Sequence, residues 1–329
     1  MTGTPTSMAL SKGAGRWQSI FAGVSLVLAV SAYGLAAALP DPEHPLRIGR
    51  NGWTGYEPLS VAEEAGALDR RRVAVIDLPA TTDVLRALRD GVLDGAALTL
   101  DEALTAEAAG VDLVIVAVVD VSMGGDVVMA RADLQSLVGA RVAFEGKALG
   151  AYMVGRFLEE RGLALTDVLL VEAPVDRHQH LLQTGEVDAA VTFEPYGTAL
   201  AREGYVQVFS SWEIPGEIVD VLAVRADASA THAEAVEHLK GAWELGRSGI
   251  VSRDAEVLGG IAARQGLAAS DVADALDLLE FPSSSESDAM LSENSPLREV
   301  AQNLWDWLVL RDVAAPGPLP DIFAPAKGE

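Results

Sequence analysis

The chain has 329 residues, 48 acids against 24 bases, a formal charge of -24 and no cysteine. Such an acidic balance repels nucleic acid and anionic lipid. The missing cysteine excludes a disulfide framework, a thiolate metal site and the lipid-bearing cysteine of a bacterial lipoprotein.

The first 38 residues carry +2, from Lys12 and Arg16, and the remainder carries -26. Ile20 to Leu39 is apolar or small throughout, with Ala36-Ala37-Ala38 near its end. A basic start, an apolar middle and small residues at the exit form the layout of a secretory signal. A run of about 20 residues also spans a bilayer, so residues 1–39 read as a signal peptide or an uncleaved membrane anchor. The small residues at the far end favour cleavage. In both readings the folded part lies outside the cytoplasm, because the basic flank stays inside. From Pro45 about 285 residues remain, enough for two modest lobes or one large domain.

Leu46-Arg47-Ile48-Gly49 reads as a strand that turns at Asn51-Gly52-Trp53-Thr54-Gly55-Tyr56-Glu57 into a helix, with Pro58 suited to its first position. Arg72 to Ile76 is a second strand, Thr82 to Arg89 a helix, Asp94 to Leu98 a strand and Ala103 to Ala109 a helix. Leu113 to Val119 is an apolar, β-branched run, as expected for a strand covered on both faces. Strands alternating with helices imply a mainly parallel sheet.

The alternation then restarts. Strands are expected at Arg141 to Phe144, Val168 to Val171 and Val187 to Val191, with helices at Tyr152 to Arg161, His178 to Thr184 and Gly197 to Glu203. The two halves share a local echo: a helix ends at Gly91 or Gly185, and an Asp three residues later (Asp94, Asp188) leads the next strand. Asp120 to Ala130 and Glu217 to Val224 look extended and would connect the halves twice, as a pair of hinges. Thr231 to Leu310 is mostly helical, with Trp243, Leu245, Trp305, Trp307 and Leu308 as core anchors. The expected architecture is α/β with two lobes: 45–125 with 220–312, and 126–219, followed by an extended tail over 313–329.

In open α/β sheets, ligands bind where strands turn into helices. Four such turns stand out: Trp53 to Glu57, Thr99 to Glu102, Glu145 to Tyr152 and Thr192 to Gly197. Each also has a structural reading, as core aromatics, as N-caps at Asp101 and Glu194, or as a first helical residue at Pro195, which repeats the placement of Pro58. Free helix N–H groups at such turns suit an anion. Yet Glu57, Asp101, Glu145 and Glu194 lie there against only Lys147 and Arg50. Several carboxylates beside a bare oxyanion would cost on the order of several kcal/mol in a partly dry cleft. The expected guest is therefore neutral or amine-bearing. Trp53, Tyr56, Tyr152, Phe193 and Tyr196 could sandwich a flat ring or cage a cation. His178 and His180 stand two residues apart at a helix start and would point in different directions, so a solvated first turn is expected there, not a metal site. Ser210 to Trp212 and Gly216-Glu217 could form the cleft wall. No catalytic triad, phosphate loop or zinc-protease pattern appears.

As a set, W-T-G-Y-E-P-L at Trp53 to Leu59, T-L-D-E at Thr99 to Glu102, S-M-G-G-D at Ser122 to Asp126 and F-E-P-Y at Phe193 to Tyr196 occur in one order. Together they resemble the periplasmic substrate-binding proteins of ABC importers, in the nitrate/sulfonate/taurine branch that includes thiamine-precursor binders. The resemblance runs from about Pro45 to Leu310. It implies a type II periplasmic-binding-protein fold of two lobes and two crossovers, a monomer that closes on one small molecule and hands it to a permease in the cytoplasmic membrane. Carried over by motif, the contacts would be Trp53, Thr54, Tyr56, Thr99, Asp101, Ser122, Gly124, Tyr152 and Glu194; the acidic turn adds Glu145. The acidic turns depart from the oxyanion binders, and the cysteine-rich segment of the thiamine-precursor enzymes is absent. No cofactor, metal or catalytic residue is expected. The alternatives are an enzyme on the same fold, resembling the chorismate-derived dehydratases with Glu145 or Asp101 as base, and a ligand-sensing lobe for a membrane receptor.

Overall fold

The computed structural model describes residues 44–146 and 149–323. The expected signal peptide or anchor over residues 1–39, Lys147 and the last residues of the tail lie outside the described residues. Among the described residues no helix is long and apolar enough to cross a membrane.

Two sheets organise the chain. The larger holds β1 (Leu46–Arg50), β2 (Val73–Asp77), β3 (Gly95–Thr99), β4 (Leu113–Ser122), β10 (Val219–Arg225) and β11 (Leu279–Glu280), in the order β11-β4-β10-β3-β1-β2. The smaller holds β5 (Asp126–Ala130), β6 (Arg141–Phe144), β7 (Leu169–Glu172), β8 (Ala189–Phe193) and β9 (Val206–Ser210), in the order β7-β6-β8-β5-β9. Parallel pairing joins β1 to β2 and β3, and β6 to β7 and β8. The crossing strands β10 and β5 run antiparallel to their neighbours, so each sheet is mixed. The parallel character expected from the alternation therefore holds for three strands in each sheet. The crossing strands arrive without an intervening helix, and that reverses them.

Helices α1 (Glu57–Glu64), α2 (Thr81–Arg89) and α3 (Leu100–Ala108) follow strands of the larger sheet. Helices α4 (Leu149–Glu160), α5 (Val175–Gln183) and α6 (Tyr196–Arg202) follow strands of the smaller one. Then come α7 (Ala226–Thr231), α8 (Ala233–Val251), α9 (Ala255–Gln265), α10 (Ala269–Leu276), α11 (Ser284–Leu291) and α12 (Leu297–Leu310). Helix α9 starts where the Asp254 carboxylate accepts the N–H of Glu256 at 2.8 Å, and ends at Gly266 in the left-handed region. Pro58 falls second in α1, one place later than expected, and Pro195 caps α6 instead of opening it.

The central strands are covered on both faces and buried almost end to end. Ile48, Leu98, Val118, Val221 and Leu222 of the larger sheet are buried, as are Val128, Val142 and Val191 of the smaller. Each such side chain contributes roughly 1.5–3 kcal/mol relative to exposure. Trp243, Trp305 and Leu308 are buried as expected. Leu245 is not: it is 47 % exposed, because it lies on the outer face of α8 while Trp243 points inward. Trp307 is half-buried and meets Tyr152 edge-on at 5.1 Å. The tail docks: Ile115 N donates to Ile322 O at 2.9 Å, and Ile322 is fully buried.

The chain passes between the sheets at Met123–Gly125 and again over residues 211–218. Ser122 and Ser211 tie these passages together. Their hydroxyls lie 2.8 Å apart, and Ser211 Oγ also accepts the N–H of Gly124 at 2.8 Å.

Candidate functional site

The loop after β1 is set by its own side chains. Asn51 Oδ1 accepts the N–H of Trp53 at 2.9 Å, and Asn51 Nδ2 donates to Thr81 Oγ1 at 2.8 Å. A short turn over Thr54–Tyr56 then aims both aromatics inward. Trp53 Nε1 donates to Asp120 Oδ2 at 3.2 Å, and Tyr56 OH donates to Asp220 Oδ1 at 2.5 Å. Gly55 is required between them, because a Cβ there would lie 2.2 Å from both Asp120 Oδ2 and Trp53 Nε1. Asp120 and Asp220 face each other across β4 and β10, and Asp120 Oδ1 and Asp220 Oδ2 are buried without a hydrogen-bond partner.

At the next strand end, Glu102 turns back over the start of α3. Its Oε2 accepts the N–H of Thr99 at 3.0 Å, and its Oε1 accepts the N–H of Leu149 from the smaller sheet's α4 at 3.2 Å. The smaller sheet supplies Glu145, whose Oε1 accepts both the N–H and the hydroxyl of Thr82 at 2.7 Å. The β8 end adds Thr192 and Phe193, and Phe193 meets Trp53 edge-on at 5.7 Å.

These strand ends enclose a cavity of about 30 Å³, above the ~10–15 Å³ that one water requires. Asn51, Trp53, Tyr56, Thr81, Thr99, Glu102 and Asp220 line it from the larger sheet. Asp126, Glu145, Met153, His178, Thr192 and Phe193 line it from the smaller. A second, more open cavity of about 340 Å³ shares Asn51 and Trp53 with it. There Arg50 pairs with Asp77 and Arg264 with Glu57, so its charges are already matched.

Burial dominates the electrostatics. It pushes Asp126 up to about 7 and raises Asp101, Glu102, Asp120, Glu145 and Asp220 above the ordinary carboxylate range. Asp101 raises Glu102 further, and Asp120 raises Asp220, by like charge. Burial also lowers His178, so its imidazole is neutral, with Nε2 bonded to Ala173 O at 2.9 Å. Asp126 Oδ2, Thr192 Oγ1 and His178 Nδ1 are buried without a hydrogen-bond partner.

Of the ten residues expected at the site, Trp53, Tyr56, Thr99 and Glu145 line this cavity. The other six do other work. Thr54 bonds Gln265, Asp101 takes the Thr99 hydroxyl at 2.7 Å, and Ser122 and Gly124 belong to the tie between the passages. Tyr152 donates to Glu217 at 2.5 Å, beside Arg156, and is not among the lining residues. Glu194 turns back onto the N–H of Thr198, while its backbone carbonyl accepts Thr54 N at 3.3 Å. Tyr196 faces the outer cavity. His178 corrects the expectation of a solvated turn: it is 1 % exposed and lines the cavity, whereas His180 is exposed. Sequence reasoning placed Glu102 within a candidate turn without singling it out, and did not single out Asn51, Thr81, Asp126 and Asp220 as lining residues. A lone acid inside an apolar strand was the available signal for the last two.

Comparison with known proteins gives a consistent placement. The model of the NMT1-like family matches residues 40–244. An Escherichia coli (strain K12) protein, provisionally named an aliphatic sulfonates-binding protein, is 29% identical over 191 residues, 55% of this chain. The match spans 59% of that curated relative's length. The alkanesulfonate-binding protein of Xanthomonas axonopodis pv. citri, solved with MOPS bound, superposes with a TM-score of 0.68 at 19% identity, over 87% of this chain and 98% of that one. The periplasmic nitrate-binding protein of Synechocystis PCC 6803 superposes with a TM-score of 0.65 at 15% identity, over 86% of this chain and 85% of that one. The chain belongs to the NMT1-like family, and its two mixed sheets have the fold of the periplasmic binding proteins of the nitrate and sulfonate branch.

Proposed function

We propose that the protein is the solute-binding component of an ABC-type importer, working outside the cytoplasm and delivering one small organic molecule to a membrane permease. The observation that carries this reading is the cavity itself, walled by strand ends from both sheets. Contacts across it support closure of two lobes, 45–125 with 220–312 against 126–219. Glu145 with Thr82, Glu102 with Leu149, Thr54 with Glu194 and the ion pair of Arg202 with Asp271 all bridge the sheets. A guest touching both walls would favour the closed state, by the population it shifts.

The relatives' names speak of sulfonates and nitrate, but no described Lys or Arg lines this cavity, and four carboxyl groups do. A neutral or amine-bearing guest with some flat apolar surface fits that lining. The reading is non-catalytic: Glu145 Oε1 is engaged by Thr82, and Asp101 does not reach the cavity. The test is mass spectrometry of what co-purifies, followed by melting with that molecule and with small amines. The bound form should melt higher in the parent. Trp53→Ala should fold yet lose at least nine-tenths of the shift. An equal shift in parent and variant removes the cavity as the site.

A further inference from the structure

Four carboxyl groups line the cavity, Glu102, Asp126, Glu145 and Asp220, and two more, Asp101 and Asp120, lie buried beside them. Their donors are unevenly shared. Glu145 has Thr82, Glu102 has two backbone N–H groups, and Asp220 has the Tyr56 hydroxyl on Oδ1 but no donor on Oδ2. Asp126 Oδ2 and Thr192 Oγ1 have none, although both residues line the cavity at 3 % and 2 % exposure. A buried polar atom left unpaired costs about 1–3 kcal/mol, so a guest that donates there recovers it. A sulfonate or nitrate group offers only acceptors, which the Thr192 hydroxyl could meet but an ionised Asp126 could not. An ammonium or protonated amidine-like nitrogen offers several donors and a charge.

We propose that the cavity takes its guest as an organic monocation, whose nitrogen donates to Asp126 and Thr192, and that entry of the cation expels one proton from the carboxyl cluster to solvent. This rests on the cavity being the capture site. The cluster is faced by Tyr56 from the β1 turn, Asp101 and Glu102 from α3, Asp120 from β4, Asp220 from β10, Glu145 from the β6–α4 loop, Glu194 from the β8–α6 turn and neutral His178 from α5. No described base among these offsets their charge. Burial therefore keeps the acids partly protonated, with Asp126 near 7. A cation supplies the charge that the proton had supplied. Nothing else changes hands: the guest stays protonated and the released proton goes to buffer.

Calorimetry of ethylammonium and benzylammonium, in two buffers of different ionisation enthalpy, counts the proton directly. Ethanol, benzyl alcohol and ethanesulfonate serve as neutral and anionic counterparts. At pH 5–6 close to one proton should leave per ammonium bound, with affinity rising up to tenfold per pH unit there, and both the release and the rise should fade above about pH 7. The alcohols and the sulfonate should bind at least tenfold more weakly. Asp126→Asn should lower ammonium affinity at least tenfold and leave the alcohols unchanged. That variant removes a partnerless buried carboxyl oxygen, so it should fold, and circular dichroism melting checks this. Binding without proton release, affinity independent of pH, a preference for the sulfonate, or no ammonium binding each overturns the proposal. Ammonium binding with proton release that neither Trp53→Ala nor Asp126→Asn weakens places the guest elsewhere, and the cavity reading fails with it. Sulfonate or alcohol binding lost in Trp53→Ala keeps the cavity and sinks only the cation.

Discussion

In the larger sheet, the Arg47 guanidinium grips the Asp94 carboxylate through Nε at 2.8 Å and Nη2 at 2.6 Å, and Arg47 N donates to the same carboxylate at 2.8 Å. In the smaller sheet, Arg141 grips Asp188 with the same three bonds at 2.9–3.0 Å, and both pairs span 47 residues of chain. The strand registers match as well: Ile48 lies opposite Gly95 as Val142 lies opposite Ala189. At their starting ends the two halves are copies. At their finishing ends they are not. The larger sheet presents Thr99, Asp101 and Glu102 there, and the smaller presents Phe193 and Glu194 ahead of Pro195. One end of each sheet is held by a conventional ion pair near water. The other end gathers acids without bases, which is costly unless something is meant to enter.

That contrast can be broken most forcefully at Gly95, the counterpart of Ala189. A Cβ at Gly95 would lie 2.7 Å from the carbonyl oxygen of Ala223 and 3.1 Å from Val224 Cα on the crossing strand β10. Gly95→Ala should therefore cost about 2–3 kcal/mol in urea unfolding. Ala189→Gly should cost only about 1 kcal/mol. Equal costs would mean that β10 does not crowd Gly95 as these distances imply.

The clasps themselves give a smaller effect. Asp94 has a side-chain exposure of 8%, against 16% for Asp188, and Arg141 is more exposed than Arg47. Asp94→Ala leaves the Arg47 N–H without its carboxylate and should cost about 2 kcal/mol. Asp188→Ala should cost less, because water reaches its partner. The same urea titration decides the order, and a reversal would show that exposure does not rank the two clasps.

Titration separates the two ends by sign. Arg141 holds Asp188 below the usual carboxylate range, so that contribution is present above its ordinary value and is lost as pH falls. Asp126 sits near 7 against an ordinary 3.8, so the folded state holds a proton that the unfolded chain has released. Its contribution is full below about pH 4 and is lost as pH rises through 7. Stability of the ligand-free protein should thus decline from pH 5 to pH 8, by up to roughly 1 kcal/mol per pH unit. Asp126→Asn should flatten that decline. Urea midpoints at pH 5, 6.5 and 8 measure it, and a midpoint that climbs with pH would contradict the burial of these acids.

The periodic parts of this molecule were legible in the sequence. The alternation of strands and helices, the Gly91/Gly185 and Asp94/Asp188 echo and the two extended passages all depend on local spacing, and the structure carries each of them. Trp53, Tyr56, Thr99 and Glu145 were legible as residues that would line a shared cavity, because they stand at strand ends. Tyr152 and Glu194 stand at such ends too, yet α4 turns Tyr152 toward Glu217 and the first turn of α6 takes the Glu194 carboxylate. Helix phase, beyond proximity to a turn, sets where a side chain points.

Asp120, Asp126 and Asp220 are each a single acid in an apolar strand, visible in the sequence but without an assigned partner. Their meeting depends on β4 pairing with β10 from across the whole stretch that builds the smaller sheet, and on Ser122 and Ser211 drawing the two passages together. The sequence by itself determined which segments become strands and helices, and that acids outnumber bases at the turns, since period and composition are local. Only the tertiary structure decided which acids share one dry cavity. Register between strands distant in the chain sets side-chain facing, and a slip of one residue would send each of these carboxyls to the opposite face.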